Sequence, residues 1–185
     1  MIRTAECITP KHPDKICDRI SDAILDACLE QDPNTRAAIE TMGGHGIITV
    51  TGELTTSAFV DIPEIVKSVY GKDIGVQTNI VMQSPEISQG VDTGGAGDQG
   101  IMIGYACTEN EQMVPQEYYL ARKLCESIYI NHPYDGKTQV TILDDDSLNV
   151  VASFQNTSSE DLIHHIKDFF SDTNYTINSL HCNPA

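Results

Sequence analysis

The chain has 185 residues, 40% of them hydrophobic, and its 11 Lys and Arg against 27 Asp and Glu give a formal net charge of −16. This length allows one good-sized domain or two small ones with a buried core, and the charge disfavours nucleic acid and anionic membranes as partners. No stretch approaches the ~20 apolar residues of a membrane span, and the N-terminus lacks an apolar signal core, so we expect a cytoplasmic protein.

The first half of the chain predicts helices and strands in alternation. Residues 13–31 have the spacing of an amphipathic helix, with an apolar stripe at Ile16, Ile20, Ile24 and Cys28. Pro13 suits the first helical position, and Asp32 with Pro33 ends the pattern. After this helix we predict strands at 36–42 and 46–56, a short helix at 61–70 and a strand at 77–82.

The second half begins with residues 83–100, whose five glycines predict a loop. We then predict a strand at 101–107, a helix at 115–131, a hairpin of strands at 137–143 and 148–154, a helix from Ser158 or Ser159 to Phe170, and a strand at 176–182. No element follows the last strand, so we expect a partner to cover its edge. The recurring order of strands and helices indicates two related α+β units.

The six cysteines have no spacing typical of a zinc site, and we expect them to be reduced and structural. Cys17 and Cys28 fall on one face of the first helix, which favours buried thiols.

The segment HPDK places His12, Asp14 and Lys15 at the start of the first helix. Asp14 alone could simply favour the positive helix end. A lysine is unfavourable there and the histidine adds nothing to a cap, so the three groups together also suit an anion with a divalent cation.

Other segments hold weaker candidates. Asp98 lies in GAGDQG, where glycines would let backbone approach a ligand, although an ordinary glycine turn explains it as well. Glu40 and Glu53 fall on adjacent predicted strands, either as solvated face residues or as a cation or amine site. Asp135 and Lys137 flank a glycine before a strand, where a turn or a polyphosphate contact would account for them.

Six blocks of the sequence, in order, resemble the S-adenosylmethionine synthetase (methionine adenosyltransferase) family. They are HPDKICDRISDAILDACLEQDP, AAIET, GELTTSAFVDI, QSPEISQGVD, GAGDQGIMIGYA and DGKTQVT. Lys11 stands where the family usually has glycine. The resemblance implies an α+β fold of repeated β-α-β-β units, incomplete in this chain. We expect a first unit at 1–107, with a gate-like loop at 83–97, and a second, incomplete unit at 108–185, their segments interleaved in space.

The resemblance also implies an activity, the joining of ATP and L-methionine into S-adenosylmethionine with release of phosphate and pyrophosphate. It assigns His12, Lys15 and Lys137 as catalytic contacts to the triphosphate, Asp14 to Mg²⁺ and Glu40 to K⁺. It assigns Glu53 and Gln83 to methionine, Asp98 to methionine and the nucleoside, and Asp135 to ATP. The gate-like loop is several residues shorter than in the family, which implies altered gating.

Family members are about twice as long as this chain and continue into a C-terminal half that holds a glycine-rich phosphate loop and further cations. Either the chain is a piece of a longer protein, or it is one subunit of a split enzyme whose partner carries that half. The initiator methionine and the negative charge favour the second explanation, in which the chain is active only with its partner. A non-catalytic regulatory or ligand-binding subunit of a synthetase complex is the alternative.

Overall fold

The structure is a computed structural model that describes residues 1–97 and 99–184. Its elements in chain order are β1 (Arg3–Ile8), α1 (Pro13–Leu29), β2 (Arg36–Gly44), β3 (Ile47–Thr55), α2 (Ile62–Tyr70), β4 (Gly75–Val81), α3 (Pro85–Asp92), α4 (Gln116–Asn131), β5 (Gly136–Ile142), β6 (Leu148–Phe154), α5 (Ser159–Ser171) and β7 (Ile177–Cys182). The expected mixed α+β fold is confirmed. The chain divides into two compact units, one formed by Pro13–Ile103 and the other by Met1–His12 together with the chain from Gly104 onward.

The unit of Pro13–Ile103 contains a three-stranded sheet in the order β2-β3-β4. β2 and β3 are antiparallel, and β4 returns parallel to β3 after α2. Ile20 and Ile24 of α1 pack with Ile48 and Val50 of β3 and Val66 of α2 in one buried core. The predicted amphipathic face of the first helix is therefore confirmed, with Cys17 and Cys28 buried on it.

The second unit contains a four-stranded sheet in the order β1-β5-β6-β7. β1 pairs antiparallel with β5 and β5 with β6, while β7 lies parallel to β6 at one edge. Alternate residues of β5 and β6 are buried, and they share a core with α4 and α5. In both units a hairpin, a helix and a parallel strand follow one another, so the same order of elements recurs.

Three elements differ from the prediction. β1 was not predicted, although it pairs along its whole length with β5. Residues 85–92 were expected in a loop but form α3, because Ser84 caps the helix by accepting a hydrogen bond from the Ile87 amide (3.4 Å) and Pro85 occupies its first turn.

The third difference is at residues 101–107, where the prediction of a strand is wrong. This segment has no regular structure, and it leaves Ile101, Met102 and Tyr105 exposed. An alternating apolar segment becomes a strand only where a neighbour accepts its backbone hydrogen bonds. Here the chain passes from one compact unit to the other, and within the described residues no strand pairs with it.

The part of the chain that the structure describes contains no helix with both the length and the apolar character needed to cross a bilayer.

Candidate functional site

One cavity of about 360 Å³ brings together His12, Asp135 and Lys137, three of the candidate residues. Its remaining lining comes from the start of β5, from β6 and the residue that follows it, and from the segment after β7: Gly136, Ser153, Phe154, Gln155, Asn183 and Pro184. His12 and Lys137 are 125 positions apart in the sequence, the difference of their numbers. Tertiary structure therefore joins two of the segments that the sequence singled out separately.

Thr9 creates this juxtaposition, although sequence reasoning did not select it. Its side chain is fully buried. The Thr9 amide donates to the Gly136 carbonyl (2.9 Å), and the Gly136 amide donates to the Thr9 hydroxyl oxygen (3.1 Å). The hydroxyl in turn donates to the Tyr134 carbonyl (3.0 Å), and the His12 amide donates to the Thr9 carbonyl (3.0 Å). The end of β1 and the turn that carries His12 are thereby fixed beside the start of β5.

Gly136 permits a close backbone approach at the same place. It lies directly across from Phe154 in the β5–β6 pair, and a Cβ added to Gly136 would overlap the Phe154 ring. Only glycine fits this position without movement of the ring, so the DGK segment has a packing role beside any chemical one.

Asp135 and Lys137 both have protein partners. Gln155 donates from its side-chain amide to Asp135 (3.1 Å). The Lys137 ammonium forms an ion pair with Glu6 of β1 (2.6 Å), and both side chains are about half exposed. Glu6, Lys137 and Ser153 also line a smaller cavity on the neighbouring sheet surface. A phosphate at Lys137 would therefore compete with Glu6 for the ammonium.

A second cavity, of about 630 Å³, lies within the unit of Pro13–Ile103 and brings together Glu53 and Gln83, the two candidates for amino-acid binding. Its walls come from β2 and the residue before it, from α3, and from single residues of α1 and the segment after α3: Leu25, Thr35, Arg36, Ala37, Ala38, Ile87, Val91 and Gly97. α3 lies in the segment that sequence reasoning assigned to a gate-like loop. The cavity therefore combines the two methionine candidates with that segment.

Two buried polar atoms in this cavity's lining are unsatisfied. Among the described residues, neither the Gln83 Oε1 nor the Arg36 Nε has a hydrogen-bond partner. Buried polar atoms normally have a hydrogen-bond partner, because a buried atom without one costs about 1–3 kcal/mol. Arg36 was missed by sequence reasoning, and it also forms an ion pair with Asp92 at the end of α3. The two side chains therefore have unused hydrogen-bonding capacity beside the cavity.

Glu40 and Glu53 lie on the same face of the three-stranded sheet. Glu53 pairs with Ala38 and Glu40 with Thr51, so the two carboxylates are diagonal neighbours. Thr41, the next residue of β2, points the other way, since it shares a hydrogen bond with Ser21 of α1 (2.9 Å). Glu40 is exposed and lies outside the residues that line the cavity.

Asp14 and Lys15 lie in the first turn of α1, and both are exposed. Lys15 forms an ion pair with Asp18 one turn later (3.1 Å). Asp98, the remaining candidate, lies outside the described residues. Across residues 1–97 and 99–184, no three His, Cys, Asp or Glu side chains gather in a group that would hold a metal ion.

Comparison with known protein families matches residues 1–93 to the N-terminal domain of S-adenosylmethionine synthetase and residues 93–180 to its central domain. These two matches together cover residues 1–180, and the chain therefore belongs to the S-adenosylmethionine synthetase family.

Its curated relatives include the S-adenosylmethionine synthase of Clostridium tetani, 44% identical over 75% of this chain and 44% of the relative. The synthase of Nocardia farcinica is 43% identical over 75% of the chain and 43% of the relative. That of Sorangium cellulosum is 44% identical over 81% of the chain and 42% of the relative. The chain thus matches less than half of the length of these relatives.

Proposed function

We propose that this chain is the part of a methionine adenosyltransferase that holds methionine and contacts the triphosphate of ATP, and that a partner chain supplies the C-terminal half. The observation that carries the proposal is the cavity lined by His12, Asp135 and Lys137, which are far apart in the sequence. Family membership and the names of the relatives support the reaction, the formation of S-adenosylmethionine.

The reaction does not need a general base. The methionine sulfur carries a lone pair and attacks the 5′ carbon of the ATP ribose, the carbon–oxygen bond to the triphosphate breaks, and the triphosphate leaves with the electron pair. Water then cleaves the triphosphate to phosphate and pyrophosphate. Catalysis depends on alignment of the sulfur with the 5′ carbon and on stabilising the leaving charge.

The second cavity suits the amino acid. Glu53 supplies a carboxylate for the ammonium group, and the unsatisfied Gln83 Oε1 supplies a further acceptor. Ile87 and Val91 of α3 give an apolar wall for the thioether. We assign Asp98, by the family resemblance, to the methionine and the nucleoside.

His12 and Lys137 act as donors to the triphosphate, and Lys15 is assigned to it by the family resemblance. Asp135 is assigned to ATP. Lys137 is already balanced by Glu6 and Lys15 by Asp18, and the chain carries a net charge of −16. These residues therefore bind an anion with low affinity, and we expect the partner to add basic groups.

Asp14 and Glu40 each offer one carboxylate and fit single-ligand roles, Asp14 toward Mg²⁺ and Glu40 toward K⁺. Mg²⁺ is commonly bound by one or two carboxylates, with water and substrate phosphates as its other ligands. A single aspartate is therefore compatible with the ion, which when bound would neutralise charge on the leaving group.

The test is to isolate the chain with its partners from its own cells and to measure its composition by native mass spectrometry. S-adenosylmethionine formation is then followed by mass spectrometry for this complex and for the purified chain alone. We expect product only from the complex, and a raised methionine KM for Glu53→Gln within it. Turnover by the chain alone would refute the need for a partner.

A matched comparison separates a catalytic from a regulatory subunit. His12→Ala and Lys137→Ala should lower kcat of the complex strongly, while Lys72→Ala, an exposed lysine away from both cavities, should leave it unchanged. If the complex keeps full kcat with both site variants, the chain is a regulatory or ligand-binding subunit and the proposal is wrong.

A further inference from the structure

Cys7 and Cys125 meet at a cavity that the proposed function does not use. Cys7 lies on β1 and packs against the core of its sheet, and Cys125 lies on α4 with only 2% of its surface exposed. Both thiols line a cavity of about 350 Å³. The other lining residues are mostly apolar, with one ion-paired arginine and glutamate: Ile8, Pro10, Arg122, Glu126, Tyr129 and Ile130.

The two thiols are not equivalent. A side-chain hydrogen bond between the two thiols is the main cause that lowers the pKa of Cys7 to about 7. The Cys7 sulfur also lies 3.7 Å from the Ile8 carbonyl oxygen. Arg122 lowers the pKa of Cys7 further, whereas burial and Glu126 raise it. The same hydrogen bond and burial raise the pKa of Cys125, so its proton stays in place at neutral pH.

Other cysteines of the chain behave differently. Burial is the main cause that raises the pKa of Cys17, Cys28 and Cys182. None of these three lines the cavity that Cys7, Cys125 and Arg122 share. Nucleophilic attack by cysteine needs the thiolate, and the lowered pKa of Cys7, together with its place beside Cys125 and Arg122, favours that form at Cys7.

We propose that Cys7 and Cys125 form a redox site in which Cys7 reduces a hydroperoxide and Cys125 then closes an intramolecular disulfide with it. The apolar lining favours a small organic hydroperoxide, which fits the cavity without burying charge. A charged disulfide oxidant would have to place its carboxylates against Glu126.

The reaction balances in two steps. The Cys7 thiolate attacks the terminal peroxide oxygen, the oxygen–oxygen bond breaks, and the leaving alkoxide takes a proton to become an alcohol. Cys7 is thereby oxidised to a sulfenic acid. Oxidation removes the Cys7 thiolate whose hydrogen bond held the Cys125 proton. The Cys125 thiol then passes this proton to the departing hydroxyl as its sulfur attacks the Cys7 sulfur, so the sulfur–oxygen bond breaks and water leaves.

Oxidation here would act on the strand that leads to the first candidate site. Cys7 pairs with Thr138 across the β1–β5 ladder, and the next pair joins Ile8 to Lys137. A disulfide would tie this end of β1 to α4 two residues before Thr9. The redox site itself does not depend on the proposed enzymatic activity.

The test treats the reduced chain with cumene hydroperoxide and maps the cysteines by mass spectrometry without reduction. We expect a Cys7–Cys125 linked peptide in the wild type. Cys125→Ser should instead accumulate a sulfenic acid at Cys7 that dimedone traps, and Cys7→Ser should give neither product. Cys17→Ser, a matched change of another buried cysteine, should leave the linkage intact.

A second measurement needs no cysteine variant. The rate of alkylation of Cys7 by iodoacetamide in the folded wild type should rise with pH around a midpoint near 7. The midpoint should shift upward in Arg122→Gln. An intramolecular linkage to another cysteine, or a Cys7 midpoint equal to that of the urea-unfolded chain, would overturn the proposal.

Discussion

Thr9 and Gly136 hold the ends of β1 and β5 together through two hydrogen bonds that run in opposite directions. The Thr9 amide donates to the Gly136 carbonyl (2.9 Å), and the Gly136 amide donates to the Thr9 hydroxyl oxygen (3.1 Å). The second bond uses a side chain in place of a ladder carbonyl. The identity of residue 9 therefore affects how β1 ends and where His12 lies.

Replacing this hydroxyl tests its role. Thr9→Val keeps the shape of the side chain but leaves the buried Gly136 amide and Tyr134 carbonyl without their partner. We expect a loss of about 1–3 kcal/mol in the free energy of unfolding, measured by urea titration. Thr9→Ser retains the hydroxyl and should cost clearly less. Equal losses for the two variants would mean that the methyl group, and not the hydrogen bonding, matters.

Adding a methyl group at Gly136 should be costly. In Gly136→Ala the new Cβ would overlap the Phe154 ring, and overpacking of this kind costs about 1–3 kcal/mol. Thermal unfolding followed by circular dichroism measures the loss. Gly104→Ala is the matched control, because a Cβ at that position meets nothing within 4 Å. A thermal midpoint unchanged from wild type in Gly136→Ala would show that the ring moves freely.

Release of Lys137 from its ion pair should strengthen anion binding. Glu6→Gln removes the carboxylate that holds the ammonium at 2.6 Å. Exposed ion pairs are worth about 0.2–1 kcal/mol, so the affinity for tripolyphosphate, measured by calorimetry, should rise by a factor of roughly 1.4 to 5. The gain should vanish in the double variant with Lys137→Gln. An equal gain in that double variant would mean that only net charge matters.

Because of Asp32, we expect the free energy of unfolding of its unit to depend on pH in the acid range. Backbone amides of Ser57 (2.8 Å) and Asn34 (3.0 Å) donate to its carboxylate and, in that order, lower its pKa below the ordinary 3.8. Because the pKa of Asp32 is lower in the folded state, its charge stabilises the fold at pH values above the pKa of the unfolded state. This contribution is lost as the pH falls through the pKa of the folded state.

The measurement is the unfolding midpoint of wild type and Asp32→Asn against pH. We expect the wild type to be more stable at pH 6, and the difference to shrink below pH 3.8. Asp73→Asn, the same change at an exposed aspartate, is the matched control. If the stability difference between wild type and Asp32→Asn stays constant with pH, the Asp32 charge does not stabilise the fold.

The sequence predicted α1, α2, α4, α5 and the β5–β6 hairpin, because helical periodicity, capping residues and turn residues act between near neighbours. α3 shows the limit of this reasoning. Five glycines in residues 83–100 indicated a loop, yet the local signal of Ser84 and Pro85 was sufficient for a helix before most of them. Composition over a long window concealed a short capping motif.

The strand errors have another cause. β1 exists because β5 pairs with it from more than 125 positions away, and residues 101–107 are irregular although their apolar pattern suits a strand. Strand formation depends on a partner that the segment itself does not specify. The same reason explains why Thr9 and Arg36 were missed, since their contacts lie on other elements.

By itself, the sequence determined the family, the α+β class and most of the elements, because blocks such as HPDK and GAGDQG and the helical periodicity can be recognised without knowledge of the fold. Only the tertiary structure decided which candidates share a cavity. His12 joins Asp135 and Lys137 in one unit, whereas Glu53 joins Gln83 and Arg36 in the other. Strand pairing sets these groupings, and it depends on hydrogen bonds between distant segments that no local pattern encodes.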